Sequence, residues 1–322
     1  MRVARGEYAG CGYASRARRF CVIGLLCGLF ASHETFAASY TFIVAGLGGE
    51  PQYEERFRAQ ADEIAAIAQS MAEAPEHVMK LTGTEATRAA IRRELKALAG
   101  RVKEDDTVTL VLIGHGTYDG EEYRFNVPGR DITGGELREL LGALRAREQL
   151  IVNTTSASGA TIEQWAGPGR VIITATKSGG ERTATRFAQY WAEALKSPAA
   201  DSNKDEIITA SEAYEYARRQ VAASFKADVA LATEHARIEG QKAAGDLAVA
   251  RLSSTALLAS DPEVRAMLEE RAALEKQIEQ IKARRDALGE EAYYDELEAV
   301  LVKFARLQRE IDARQAALQV SP

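Results

Sequence analysis

From residue 40 onward, short apolar runs alternate with amphipathic stretches, a pattern that predicts βαβ units around a largely parallel sheet. YTFIVAGLGG (40–49) reads as a strand entering a glycine turn, and EERFRAQADEIAAIAQSM (54–71) as an amphipathic helix. HVMKLTG (77–83) is a second strand, followed by the helix TEATRAAIRRELKALAG (84–100), with Thr84 as its expected N-cap and Gly100 as its expected stop. TVTLVLIGHGTYDG (107–120) predicts a buried strand ending at His115, and YRFNVPGRDIT (123–133) a hairpin leading into the helix GELRELLGALRA. QLIVNTTSASG (149–159) and RVIITATKSGGE (170–181) supply two more strands, and TRFAQYWAEAL a further helix. Strands of this kind bring their terminal turns together at the carboxyl edge of the sheet, where open α/β sheets bind ligands.

Both ends of the chain depart from this pattern. Beyond Asp261-Pro262 the text turns to Glu, Ala, Arg, Lys, Leu and Gln. Leu274, Ile278, Ile281 and Leu288, then Leu297, Val300, Phe304, Leu307 and Ile311, keep a spacing of three and four, with Gly289 between the runs. Residues 261–322 therefore predict a helical hairpin or coiled coil, with two helices packed on the core domain as the alternative, and the apolar seam makes self-association through these helices the expected partner mode. At the other end, Arg2, Arg5, Arg16, Arg18 and Arg19 precede the apolar run FCVIGLLCGLF and the small-residue segment ETFAAS. Residues 1–38 are the layout of a signal peptide, with cleavage expected after Ala37 or Ala38, and they imply export to a periplasm or to the exterior.

Composition narrows the chemistry. A formal charge of −6 with both signs interspersed argues against nucleic acid as a partner. All three cysteines, Cys11, Cys21 and Cys27, lie in the leader, so residues 39–322 hold no disulfide, thiolate metal site or cysteine nucleophile.

Two constellations remain. His115 and Ser156 each follow a buried strand in a small-residue turn, where His115 could serve as base, Ser156 as nucleophile and the Gly116 amide as oxyanion donor; the alternative, common for a His-Gly turn, is a histidine satisfied within its loop. The second is DSNKDEIITASE (201–212), which has the ligand spacing of a calcium-binding EF-hand loop: Asp201, Asn203, Asp205, the Ile207 carbonyl, Thr209 or a water, and Glu212. Glu206 stands where that motif has glycine, so bound calcium would be weakened by backbone strain. The alternative is a polar turn in which acidic residues cap helices. The pair Glu234-His235 reads as a solvated or locally paired feature of a helix.

Taken together, VAGLGG with YEERFRAQAD, LIGHGTYDG and IVNTTSASGA resemble the legumain family of cysteine peptidases over about residues 40–195. The resemblance implies a caspase-like α/β fold over residues 39–260, with a mostly parallel sheet flanked by helices. It places His115 on the catalytic histidine, Gly116 on the oxyanion glycine, Ser158-Gly159 on the Ser-Gly element and Arg58 on the arginine of the primary specificity pocket. Glu181 falls near that pocket, paired with Arg58 or in solvent. Ser156 takes the place of the catalytic cysteine and Gly48 that of an asparagine near the histidine. A hydroxyl is far less acidic than a thiol, so the substitution implies a peptidase homologue that binds a peptide or protein without cleaving it; a serine-type hydrolase is the alternative.

Overall fold

The computed structural model describes residues 37–252 and 262–320; the expected signal peptide lies outside the described residues apart from Ala37 and Ala38. A six-stranded sheet of order β10-β8-β7-β3-β1-β2 forms the centre. Its strands are β1 (Ser39–Ala45), β2 (Val78–Leu81), β3 (Thr107–Ile113), β7 (Glu148–Asn153), β8 (Arg170–Thr174) and β10 (Arg237–Glu239). β1, β2, β3, β7 and β8 run parallel, and β10 closes one edge antiparallel to β8, with Ile238 opposite Ile173.

Successive side chains on these strands enter opposite cores, as the twofold period of a strand requires. Ile43, Val111, Val152 and Ile173 pack with α1 (Pro51–Met71), α5 (Phe187–Ala194) and α6 (Ala210–Ala227). Phe42, Leu110, Leu112, Ile151 and Ile172 pack on the other face with α2 (Arg88–Arg101), α3 (Gly134–Gly142) and the short α4 (Ile162–Trp165). Both faces are covered, which explains why the strands read as near-continuous apolar runs. The chain is thus a mixed α/β protein with a mostly parallel sheet flanked by helices.

Several boundaries differ from expectation for local reasons. Helix α2 is capped by Thr87, whose side chain accepts from the Ala90 amide at 3.2 Å, while Thr84 lies in a preceding 3-10 turn. Gly100 sits inside α2 rather than ending it. The segment after His115 folds into a small antiparallel sheet of β4 (Gly116–Tyr118), β5 (Tyr123–Phe125) and β6 (Ile132–Thr133). A second small pair joins β9 (Ile207–Thr209) to β11 (Ala248–Arg251), with the short α7 (Gln241–Ala244) preceding β11. Glu234 and His235 lie in an irregular segment, not on a helix.

The tail is an antiparallel hairpin of α8 (Pro262–Ala283) and α10 (Glu290–Val320), joined through α9 (Arg285–Leu288) and Gly289, which has φ +75°. Ion pairs Glu263-Arg314 and Arg284-Glu296 set its register. The seam expected to attract a second copy is largely used within the hairpin: Leu274, Leu307 and Ile311 are buried with Val264 and Leu268, and Val300 and Phe304 pack against them. Arg271 of α8 is buried and donates through Nη2 to the Asp205 carbonyl at 2.8 Å, tying the hairpin to the loop before β9.

Candidate functional site

The turns after β1, β3 and β7 meet at the carboxyl edge, locked by amides of one turn on the carbonyls of neighbouring strands: Gly46 to Ile113 at 2.8 Å, Thr154 to Leu112 at 2.9 Å and Ala175 to Asn153 at 3.0 Å. Gly114 turns β3 toward His115 with φ +142°, a region that a side chain would strain. His115 is half-buried, its ring edge-on to Tyr53 (5.0 Å between centroids) and Phe57 (5.2 Å) of α1. The Gly48 backbone lies near the ring, and the Gly48 amide donates to Glu54 Oε1 at 2.8 Å. Burial, and then the nearby Arg56 charge, hold the His115 pKa below its ordinary value against the opposing pull of Gly48. The ring is therefore a neutral, oriented imidazole at pH 7. A Cβ on Gly48 would lie 2.5 Å from the Glu54 amide nitrogen, so no asparagine side chain fits at this position without moving α1.

Ser156 is 2% exposed and directly follows Thr155, which belongs to a set of interlocked hydroxyls. Thr155 Oγ1 and the Tyr123 hydroxyl bond at 2.6 Å, and Thr155 Oγ1 also donates to the Asn153 Oδ1 at 2.8 Å. Burial pushes the Tyr123 pKa up to about 12, so its hydroxyl stays protonated. Gly116 is pressed against this turn: an ideal Cβ there would stand 2.4 Å from the Ser156 carbonyl oxygen. The backbone of the turn that carries His115 and Gly116 is therefore packed against the Ser156 turn. Among the described residues, however, no hydrogen bond links the His115 ring to the Ser156 hydroxyl.

The loop after β8 closes over Ser156. The Ala157 amide donates to the Glu181 carbonyl at 2.7 Å, holding Ala157 at φ +55°, an uncommon conformation for a residue with a side chain. Thr185 Oγ1 donates to the Thr154 carbonyl at 2.5 Å, and Ser158 meets Thr176 at 3.2 Å. Glu181 neither pairs with Arg58 nor lies in solvent. Its carboxylate accepts from the amides of Lys177 (2.9 Å) and His235 (3.1 Å) and meets the His235 ring at 2.5 Å. Glu234, beside it, is buried and accepts from the amides of Arg186 (2.8 Å) and Phe187 (2.9 Å) at the start of α5. Burial, outweighing those two amides, pushes the Glu234 pKa up to about 7. The segment before β10 thus straps the β8 loop onto the Ser156 turn.

Arg58 is exposed on α1 and does not share the site. Two residues apart on a helix, Arg56 and Arg58 face different directions, and it is Arg56 that borders His115. Its guanidinium stacks over Tyr53 (4.8 Å) and Phe57 (5.4 Å), while Nε and Nη2 are buried with no hydrogen-bond partner. Asn126 donates its amide to the His115 carbonyl at 3.0 Å and leaves a buried, unpaired Oδ1. Neither Arg56 nor Asn126 was marked by sequence reasoning; only the doubled arginine of EERFR hinted that one of the pair turns inward.

The loop 201–212 adopts a compact turn in which Lys204 and Glu206 both take φ +63°, the second at the position where an EF-hand has glycine. Asp201 accepts from the amides of Asp205 (3.2 Å) and Glu206 (2.9 Å), and Asp205 from that of Ile207 (2.8 Å), with Asn203 bonded to Asp205. Glu212 is engaged elsewhere. One oxygen accepts from the amide (3.0 Å) and hydroxyl (2.7 Å) of Ser202, the other from the amide (3.0 Å) and hydroxyl (2.9 Å) of Thr209, completing a capping box at the start of α6. Among the described residues, no group of three or more His, Cys, Asp or Glu is gathered around a common point as a metal site needs. As placed, the donor set does not fit a calcium ion: Glu212 would have to release Ser202 to become its twelfth-position ligand. Burial raises the Asp205 pKa, so desolvation already acts against charge in the loop.

No family model matches this sequence, and no curated protein is similar to it by sequence. Solved structures also match it, three of them as follows. Protein GSU0716 from Geobacter sulfurreducens matches at 13% identity and a TM-score of 0.44, over 63% of this chain and 92% of that one. The structure of drICE matches at 10% identity and a TM-score of 0.41, over 64% and 88%. Caspase-1 from Spodoptera frugiperda matches at 10% identity and a TM-score of 0.42, over 67% and 88%. At these levels none of the three assigns a residue or an activity to this chain.

Proposed function

We propose that this chain is an exported, caspase-like, legumain-related peptidase homologue that holds a peptide or protein segment at the carboxyl edge of its sheet without cleaving it. One contrast carries the reading. Beside His115 lie polar atoms that are buried without a hydrogen-bond partner, the Arg56 Nε and Nη2 donors and the Asn126 Oδ1 acceptor, whereas the candidate nucleophile Ser156 is 2% exposed and has no hydrogen bond to the His115 ring among the described residues. Buried polar atoms left unpaired call for a ligand, since each costs about 1–3 kcal/mol until it is satisfied. Arg56 supports an acidic or amide side chain, or a chain-terminal carboxylate, as the anchor that enters beside His115.

The neutral His115, held against Tyr53 and Phe57, favours a second reading in which it serves as base to Ser156 in a slow hydrolase. The two readings separate on the purified protein with a peptide library and a fluorophosphonate probe. The binding reading expects no labelling and no turnover by the wild type, with cleavage gained in Ser156→Cys. Labelling of the wild type that vanishes in Ser156→Ala and His115→Ala would establish the hydrolase instead. Self-association through the C-terminal helices stays part of the proposal, now confined to the outer face of α10, where Tyr294, Leu301 and Val302 are exposed.

A further inference from the structure

The groove between α2 and the loop joining β5 to β6 is lined by Arg88, Arg92, Arg93, Lys96, Pro128 and Arg130, and has a volume of about 640 Å³. Its charge is anomalous in three respects. First, the body of the protein is acidic: the first 36 residues contain five arginines and two glutamates, which leaves residues 37–322 with 36 Lys and Arg against 45 Asp and Glu, or −9. A cationic groove stands out against that background. Second, Arg88, Arg92 and Lys96 follow one another at intervals of four on α2, a spacing that sets like charges side by side and destabilises a helix. Third, they begin in its first turn, where the helix dipole disfavours cations and where α2 has no acidic residue. Helix stability does not explain this stripe.

Internal pairing does not neutralise it either. A single carboxylate, Glu136, answers both Arg88 and Arg92, bonding Arg88 Nε at 2.7 Å and also Arg92. Arg93 pairs with its neighbour Glu94 at 2.9 Å. Lys96 and Arg130 have no carboxylate partner among the described residues. The opposite wall is connected to the candidate site, since the loop carrying Pro128 and Arg130 starts at Asn126, whose amide donates to the His115 carbonyl.

We infer that this groove binds a carboxylate-rich peptide segment, so that a partner anchored beside His115 carries acidic residues along the Asn126–Arg130 loop into the α2 groove. The inference rests on the peptide-binding reading for the class of partner only; the excess of positive charge is independent of it. Several side chains fit a groove of this size, and multiple carboxylates suit guanidinium groups that present paired donors.

The test uses the purified full chain and a fluorescein-labelled hexaglutamate peptide, with binding read by anisotropy at 50 mM and 300 mM NaCl. The expected result is saturable binding at low salt that weakens by about tenfold or more at high salt, as steered electrostatic contacts do. Lys96→Glu with Arg130→Glu should weaken binding by at least about tenfold at low salt, and Lys96→Gln with Arg130→Gln by a smaller factor in the same direction, with far-UV circular dichroism and melting temperature unchanged. Hexalysine should not bind. Wild-type protein that does not bind hexaglutamate, or a charge-reversed variant that binds it as wild type does, overturns the inference. So does duplex DNA binding as tightly as hexaglutamate, or displacement of the peptide by inorganic phosphate at constant ionic strength, since the groove is then a general anion site. Each of these failures leaves the Ser156→Cys cleavage result untouched, so the groove and the His115 site are judged separately.

Discussion

Gly116→Ala tests whether the His115 and Ser156 turns are packed as tightly as the site requires. The new Cβ would stand 2.4 Å from the Ser156 carbonyl oxygen, 2.7 Å from Thr155 Oγ1 and 2.7 Å from Tyr123 Cε2. Ordinary contact begins near 3.4 Å, so a backbone carbonyl must retreat by roughly 1 Å and two further atoms by roughly 0.7 Å. The carbonyl that must move lies 3.1 Å from Thr155 Oγ1, and that hydroxyl is already bonded to Asn153 Oδ1 at 2.8 Å and to the Tyr123 hydroxyl at 2.6 Å. Overpacking of a close-fitted interior costs about 1–3 kcal/mol, and disturbing one buried hydrogen bond adds about 1 kcal/mol. The sum, about 2–4 kcal/mol, corresponds to a fall in melting temperature of about 5–15 °C for a domain of this size. Differential scanning calorimetry of wild type and variant measures it directly. A shift within about 1 °C would mean that the two turns are not in contact, and the site geometry would fall with it.

Other expectations concern the strap, the tail and the loop. Glu234 titrates near 7 in the fold against an ordinary 4.5, so the folded state holds its proton more tightly than the unfolded chain does. Its contribution to stability is present below pH 4.5 and is lost as pH rises through about 7, a change on the order of 3 kcal/mol. Guanidinium midpoints at pH 5 and 8 should show Glu234→Gln flattening that slope; identical slopes in wild type and variant would refute the assignment. Arg271→Ala removes the buried donor to the Asp205 carbonyl and should accelerate amide exchange in α8 and across 205–209, with about 1–3 kcal/mol of stability lost; unchanged exchange would show that the hairpin is held elsewhere. Glu206→Gly relieves a side chain held at φ +63° and should stabilise the fold by about 1 kcal/mol, read as a rise in melting temperature of about 2–4 °C. An unchanged or lower melting temperature would mean that position 206 stores no backbone strain. Leu301→Glu should abolish any dimer seen by analytical ultracentrifugation, and persistence of that dimer would remove α10 as the contact.

The sequence alone determined the features that depend on local periodicity. Runs such as TFIVA and TLVLI could only be strands buried on both faces, because a continuous apolar run of that length has no solvent side to offer. The heptad spacing of 297–311 gave the tail helix in the same way, and small-residue turns after buried strands marked His115, Gly116 and Ser156. Pairing across long distances was not legible. The antiparallel edge strand Arg237–Glu239 is three residues long and carries no period to detect. The bond between Glu181 and His235 spans 54 residues, and nothing local distinguishes a solvated glutamate from one that anchors a strap. Whether Arg56 or Arg58 turns inward depends on how α1 is rotated against the sheet, which is set by the burial of Phe57, Ala61 and Ile64. The loop 201–212 shows the same limit from the opposite side. Its spacing matched an ion-binding motif, yet the partners of Glu212 were decided by where Ser202 and Thr209 came to rest in the folded chain, because a carboxylate takes whichever donors the tertiary structure brings within reach.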